Sequence, residues 1–293
     1  MNTFSTSTDD TLRETIQHGD SRYPFAYYLE DIWQYDFHCV DWHWHHELEF
    51  MTVREGTVLC LIGSEKLTLP KGSGIFINSG VLHRFESRSS AIIPNIVFSP
   101  VLLSPEKSLI YEKYVRPVIS SSLNFQVLDL QIPWQSKILS ILEEIYGLQN
   151  QKGPIELQTV QSLLEMWKIL FQNFDISPNS PDLKLLNPKQ ARLLIMMQYI
   201  HDHYQEELSL SQIAASASVS KSGALQLFQS GIQLSPVAYL IQYRLSQAAE
   251  LLHTTAKSIS AIAEETGFSS AGYFCRRFKE RYQMTPNEYR NKE

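Results

Sequence analysis

The sequence predicts an α+β protein in two parts. An N-terminal β-barrel with a helical hairpin precedes an all-α domain, in which a linker helix joins two helix-turn-helix units. Three observations carry this. Short strand-like runs punctuated by glycine fill residues 21–105. The hydrophobic spacing changes to a helical period from about residue 134. Two segments beyond residue 180 repeat each other at an offset of 49 to 50 residues. The chain of 293 residues has room for two or three domains. With 43% hydrophobic and 19% charged residues it suits a full core in water, and it is neither disordered throughout nor a collagen or coiled-coil rod.

The first twenty residues are polar and predict a loose arm or a short helix. They lack the basic and apolar regions of a secretory signal. No apolar run approaches the ~18 residues that span a bilayer, so no membrane partner is expected. Three scattered cysteines, Cys39, Cys60 and Cys275, point to a reducing, cytoplasmic location. Strand-like runs follow at 48–53, 57–62, 66–69, 74–77 and 92–98, a spacing that suits a sandwich or barrel.

From residue 134, Ile138, Leu139, Ile141, Leu142, Ile145 and Leu148 follow helical spacing, and Gly153 with Pro154 breaks the run. Leu157, Val160, Leu163, Leu164, Trp167, Leu170, Phe171 and Phe174 mark a second helix. The two form an antiparallel hairpin. Its apolar surface can pack on the barrel or meet a second copy of the chain, and the 134–174 helices are the expected homodimer surface. Ser177, Pro178, Asn179, Ser180 and Pro181 read as a linker. The expected units are therefore residues 1–175 and 182–293.

Charge divides along the same line. From Lys184 onward there are 12 basic and 9 acidic residues, which leaves 13 basic and 22 acidic ahead of it. A polyanion partner belongs with the basic half. There, Ile213/Ile262, Ala214/Ala263, Phe228/Phe278, Pro236/Pro286 and Tyr239/Tyr289 recur in the same order. Each copy reads as helix, turn, helix. The small alanine permits a close crossing, and the phenylalanine anchors the second helix, which such motifs present to the DNA major groove.

The stretch from about 190 to 290 resembles the DNA-binding domain of AraC/XylS-type bacterial transcription regulators. The resemblance rests on Tyr243, Arg244, Leu245, Ala248, Ala249, Leu251 and Leu252, then Ile259, Ile262, Ala263, Gly267 and Phe268. It continues through Tyr273 to Lys279 and ends on Thr285, Pro286, Tyr289 and Arg290. It implies a sequence-specific regulator that contacts a double-stranded DNA operator and RNA polymerase, as activator or repressor, with no catalysis. Matched positions make Lys221, Ser222, Leu225 and Gln226 the DNA-facing residues of the first unit. Ala271, Gly272, Tyr273, Arg276, Lys279 and Arg281 are those of the second. Arg276 suits bidentate contact with guanine, and Gln226 suits adenine. Arg276 can alternatively bind phosphate or pair with Glu280. This sequence departs from the family at Gln233 and Gln283, where glycine is usual. Glutamine there implies backbone strain or a different turn.

In the front half, His43, His45 and Glu49 share strand parity and so project to one face. Gly56 lies beyond them, and Gly72, Asn78, Gly80 and His83 follow. This resembles the two cupin motifs, with Asn78 where proline is usual. The resemblance implies a ligand-sensing barrel that binds a small-molecule effector through His43, His45, Glu49 and His83. In metal-binding cupins these four positions hold a divalent ion. Two other readings stand beside that one: hydrogen-bonding pocket residues, or satisfied barrel residues. No cofactor is expected. Tyr27, Tyr28, Trp33, Trp42, Trp44 and Phe50 crowd the region and admit a carbohydrate effector, although Trp42, Trp44 and Phe50 have the outward parity. The alternative function is a metal-dependent cupin enzyme with an accessory helical domain.

Overall fold

The computed structural model describes residues 6–9, 12–63, 65–121, 123–174 and 188–291. The linker at 177–181 and both expected domain edges lie outside these residues. The chain divides into two compact units between residues 187 and 188.

Among the described residues of the front unit, nine strands form two antiparallel sheets. They are β1 (Phe25–Asp31), β2 (Cys39–His43), β3 (Leu48–Thr52), β4 (Thr57–Ile62), β5 (Glu65–Pro70), β6 (Gly74–Ile77), β7 (His83–Glu86), β8 (Ile92–Phe98) and β9 (Phe125–Leu128). One sheet has the order β1-β8-β3-β6-β9 and the other β2-β7-β4-β5. A π-helical turn, Tyr111–Val115, leads into the short α1 (Arg116–Ile119). The hairpin helices are α2 (Pro133–Gln149) and α3 (Glu156–Asn173).

Central strand β3 is buried on both faces, so its residues show no inside–outside alternation in exposure. The inner face of the five-stranded sheet places Met51, Ile75, Ile77 and Ile93 in the barrel core. Its outer face turns Leu48, Phe50, Phe76, Ile96 and Phe98 toward Ile138, Ile141, Leu142, Leu163, Met166, Trp167 and Leu170 of the hairpin. Trp167 is only 4% exposed, and its Nε1 donates to Tyr114 O at 2.9 Å. The apolar face of α3 is thus an intramolecular packing face. The outward face keeps Leu157 and Leu164, 80% and 42% exposed.

The described part of the N-terminal segment forms no helix. It is a packed arm that bridges Arg13 to Trp44, with Leu12 buried. Asn78, at the departure from the second cupin motif, is buried and donates to Val118 O at 2.9 Å and Leu123 O at 2.8 Å. It ties the strand to the loop beyond α1, a bond that proline could not make.

The back unit is helical: α4 (Pro188–His203), α5 (Leu210–Ser216), α6 (Lys221–Ile232), α7 (Pro236–Thr254), α8 (Ile259–Glu265), α9 (Ala271–Tyr282) and α10 (Pro286–Arg290). The repeat extends to the caps. Ser209 and Ser258 cap α5 and α8, Ser220 and Ser270 cap α6 and α9, and Ser235 and Thr285 cap α7 and α10. Each side chain accepts from the backbone N–H three residues on, which satisfies one orphan donor of the first turn. The α5–α6 turn takes left-handed backbone at Ser218, with φ 54°, and the α8–α9 turn at Gly267, with φ 78°. A Cβ at Gly267 would lie 2.5 Å from Tyr204 O, so this copy requires glycine. Gly231 serves a close approach of α6 to α4, because a Cβ there would meet Leu193 Cδ2 at 2.2 Å.

Gln233 and Gln283 end α6 and α9 in the left-handed region, with φ 58° and 57°. The chain therefore keeps the glycine conformation without the glycine.

Candidate functional site

The first candidate site is the barrel lumen. His43 ends β2, His45 lies in the β2–β3 connection, Glu49 is on β3 and His83 begins β7. Strand parity predicts that His43, His45 and Glu49 share a face. They do converge, but for another reason. The chain leaves one sheet after His43 and enters the other at Leu48, and the inner faces of both sheets look into the same lumen. All four residues are buried, and one ligating atom from each lies within 4.8 Å of the others.

The imidazoles are oriented by backbone. His43 Nδ1 donates to Asp41 O at 2.8 Å, His45 Nδ1 to Glu47 O at 3.2 Å, and His83 Nδ1 to Val81 O at 2.8 Å. A carbonyl only accepts, so each Nδ1 carries the hydrogen and each ring turns its Nε2 inward. His45 Nε2 lies 3.4 Å from Glu49 Oε2. His83 Nε2 lies 3.1 Å from the same oxygen, without the alignment of a hydrogen bond. Three Nε2 atoms around one carboxylate need a proton or a cation between them. Burial opposes charge on His83, but the adjacent carboxylate outweighs it and raises the His83 pKa. Burial, reinforced by His83, pushes His43 down to about 3. Burial also opposes charge on Glu49, yet His45 and His83 hold its carboxyl well below the usual range. Three imidazole nitrogens and one carboxylate, each ring fixed through its other nitrogen, are a donor set that fits a divalent transition ion.

Of the four, His43, His45 and Glu49 line a cavity of about 500 Å³, counting the part open to solvent, and other residues join them. The arm supplies Glu14 and His18, strand β1 supplies Tyr28 and Glu30, and Asn95 comes from β8. His18 Nε2 lies 3.0 Å from Glu14 Oε2, and its Nδ1 lies 2.9 Å from Tyr28 OH. Sequence reasoning missed Glu14, His18, Glu30 and Asn95. The alternation of Tyr28 and Glu30 was a readable signal, whereas nothing local marks the arm. Of the crowded aromatics only Tyr28 lines the cavity. Tyr27 stacks on Tyr146, and Trp33 on His38.

The second candidate site is a pair of helix faces. On α6, Lys221, Ser222, Leu225 and Gln226 are exposed, while Ala224, Phe228 and Ile232 are buried. On α9, Gly272, Arg276 and Lys279 are exposed, Ala271, Tyr273 and Arg281 are half-buried, and Phe274 and Phe278 are in the core. The acid that could have captured Arg276 is taken by its neighbour: Arg277 Nη1 lies 2.6 Å from Glu280 Oε2. The Arg276 guanidinium instead lies 5.4 Å from the centre of the Tyr273 ring.

The helix-turn-helix domain family matches residues 213–292, and the cupin domain family matches residues 39–94. An uncharacterized HTH-type transcriptional regulator of Bacillus subtilis strain 168, YdeC, is 30% identical over 288 residues, which is 96% of this chain and 97% of that protein. The chain belongs to the AraC/XylS-type transcription regulators. This AraC-type chain is also 23% identical over 253 residues to the HTH-type transcriptional activator RhaS of Escherichia coli strain SE11, covering 84% of this chain and 86% of that one. Among solved structures, it is similar to a transcriptional regulator with an AraC-type DNA-binding domain from Chromobacterium violaceum. The identity is 32% and the TM-score 0.34, over 34% of this chain and 90% of that chain. The AraC-type chain is therefore a DNA-binding transcription regulator with a cupin domain, and its relatives do not favour the cupin-enzyme alternative. Among the described residues no helix is long and apolar enough to cross a membrane.

Proposed function

We propose that this regulator acts in the cytoplasm as a homodimer and a non-enzymatic activator. A small effector bound in the barrel sets its action on an operator read by α6 and α9, and RNA polymerase is its target. The observation that carries the reading is the pairing of an inward, polar, backbone-oriented cluster in the front unit with two exposed recognition faces in the back unit. His43, His45, Glu49 and His83 anchor the effector. Lys221, Ser222, Leu225 and Gln226 meet one major-groove segment. Ala271, Gly272, Tyr273, Arg276, Lys279 and Arg281 meet the next. The dimer surface is the outward face of α3 around Leu157 and Leu164, since Trp167 is occupied within the chain.

The test is DNA selected from a randomised pool by the full chain, followed by titration at several salt concentrations. Specific binding with a steep salt slope is expected. Replacing both His45 and His83 with alanine should leave operator affinity intact while abolishing any response to effector. Loss of sequence preference by the wild-type chain would overturn the DNA reading. An effector response unchanged in the double variant would overturn the pocket.

A second reading concerns the metal. The geometry of three Nε2 atoms around one carboxylate favours a divalent ion at His43, His45, Glu49 and His83. Zinc or manganese added to metal-free protein should then raise the unfolding temperature of the wild type and not of His83→Ala.

A further inference from the structure

Three carboxylates line the barrel cavity, and their partners differ. Glu14 has His18, and Glu49 has His45 and His83. Glu30 makes no ion pair among the described residues. Its Oε1 accepts from the neutral Tyr35 hydroxyl, and its Oε2 accepts from Asn95 Nδ2 at 3.0 Å. No Lys or Arg lines the cavity among the described residues. Glu30 is thus a carboxylate in a largely protein-walled space with no cation to balance it. Such a group is costly unless a charge or several donors reach it.

Asn95 points the same way by an independent route. It is 5% exposed, and its Oδ1 has no hydrogen-bond partner. The bond from Nδ2 to Glu30 fixes the amide orientation, because a carboxylate accepts and does not donate. An acceptor oxygen is therefore buried in the cavity wall beside the unbalanced carboxylate. Asn95 Oδ1 lacks a donor, and Glu30 lacks a positive charge. Buried polar groups are nearly always paired, so an orphan acceptor on a residue that lines the cavity calls for a ligand donor.

We propose that the part of the cavity between Glu30 and Asn95 binds a protonated amine carried by the effector. This rests on the reading of the barrel as an effector pocket and names the chemical class of its ligand. An ammonium offers three N–H donors. One satisfies Asn95 Oδ1, another reaches a free lone pair of Glu30, and its charge balances that carboxylate. A hydroxyl could serve Asn95 but would leave Glu30 unbalanced. A carboxylate or phosphate would face Glu30, Glu14 and Glu49 with no lysine or arginine among the lining residues to receive it. Burial first, then the charges of Glu49 and Glu14, push the Glu30 pKa upward, and an arriving cation opposes that shift.

The test uses the full chain and two sets of near-isosteric probes: glucosamine, glucose and glucuronate, and butylamine, butanol and butyrate. Binding is measured by calorimetry at neutral pH and fixed salt. In at least one set the amine should bind about tenfold or more tightly than its neutral partner, the worth of one charge-assisted contact. Glu30→Gln, which keeps an acceptor for Tyr35 and nearly the same shape, should erase that preference while preserving the unfolding temperature. Asn95→Ala should weaken the amine without making the acid bind. If an alcohol or acid probe binds best, the amine class is wrong while the effector pocket stands. If no amine shows saturable binding, or if Glu30→Gln keeps the preference, the amine site is overturned. The effector pocket itself stands or falls separately, on the operator response of the His45 and His83 double variant.

Discussion

Arg276 and Arg277 are neighbours on α9 with different work. Arg277 is held by Glu280, whereas Arg276 is exposed above Tyr273. Arg276→Ala should therefore weaken operator binding by ~1–3 kcal/mol and relax preference at one or two base pairs, read by selection from a randomised operator. Lys279→Ala should weaken all sequences alike and lower the salt slope by about one unit. The sequence identified Arg276 by motif position, but it could not say which arginine would take Glu280, because partners three and four residues away on a helix compete. The sequence left open whether the turn at Gln283 is strained or simply differs, and its φ of 57° shows that the left-handed conformation is kept. Gln283→Gly should stabilise the back unit by about 0.5–1 kcal/mol in urea unfolding, against the loss of the Nε2 bond to Glu280 O. His43 titrates in the opposite sense from an exposed histidine. Its folded pKa, pushed down to about 3 by burial, lies below the unfolded value of 6.5. Between those values the unfolded chain binds the extra proton, so acidification removes stability. The loss approaches about 1.4 kcal/mol per pH unit from this one group. Urea unfolding of the wild type at pH 7 and pH 5, beside His43→Asn, should show the smaller pH difference in the variant.

Helix α3 illustrates how an element can be right in the sequence while its partner is not. The spacing of Leu163, Leu170 and Trp167 located the helix, and the structure runs it from Glu156 to Asn173. A helical stripe states that a face is buried and not against what. Here the β-sheet claims it, which leaves Leu157 and Leu164 outward. Trp167→Ala should thus cost the front unit about 3–5 kcal/mol through a cavity rather than split a dimer. Leu157→Glu with Leu164→Glu should give monomers by light scattering and leave the unfolding temperature nearly unchanged. Strand β9 was invisible for a related reason. Its four residues follow β8 by a long helical excursion, and only pairing with β6 makes them a strand. The barrel strands β4 and β6 were legible because glycines bracket short apolar runs.

Across the whole molecule, the repeat was the most legible feature, since it recurs in core residues, turns and caps alike. The two copies differ where charge matters. Arg276, Lys279 and Arg281 lie on α9, but only Lys221 lies on α6. The 19 residues of α7 span about 28 Å between the copies. Inserting one alanine in the middle of α7 turns everything beyond it by about 100°. Such a variant should lose most of its affinity for a full operator yet bind a site for one unit as the wild type does, as anisotropy titrations with both DNAs would show. The barrel site was only half legible. Its histidines form a motif, whereas Glu14, His18, Glu30 and Asn95 come together from an arm and two distant strands.

The carbonyls that aim the three imidazoles belong to Asp41, Glu47 and Val81, each two residues from its histidine. A backbone oxygen survives any exchange of the side chain above it. The cluster is therefore indifferent to drift at those three positions and vulnerable only to insertions or deletions in the short segments between. The opposite wall, built from side chains of the arm, β1 and β8, has no such protection. Under the proposed effector reading, exchanges at Glu14, Glu30 or Asn95 would change what the barrel recognises, while the backbone-aimed half of the cluster is inherited intact.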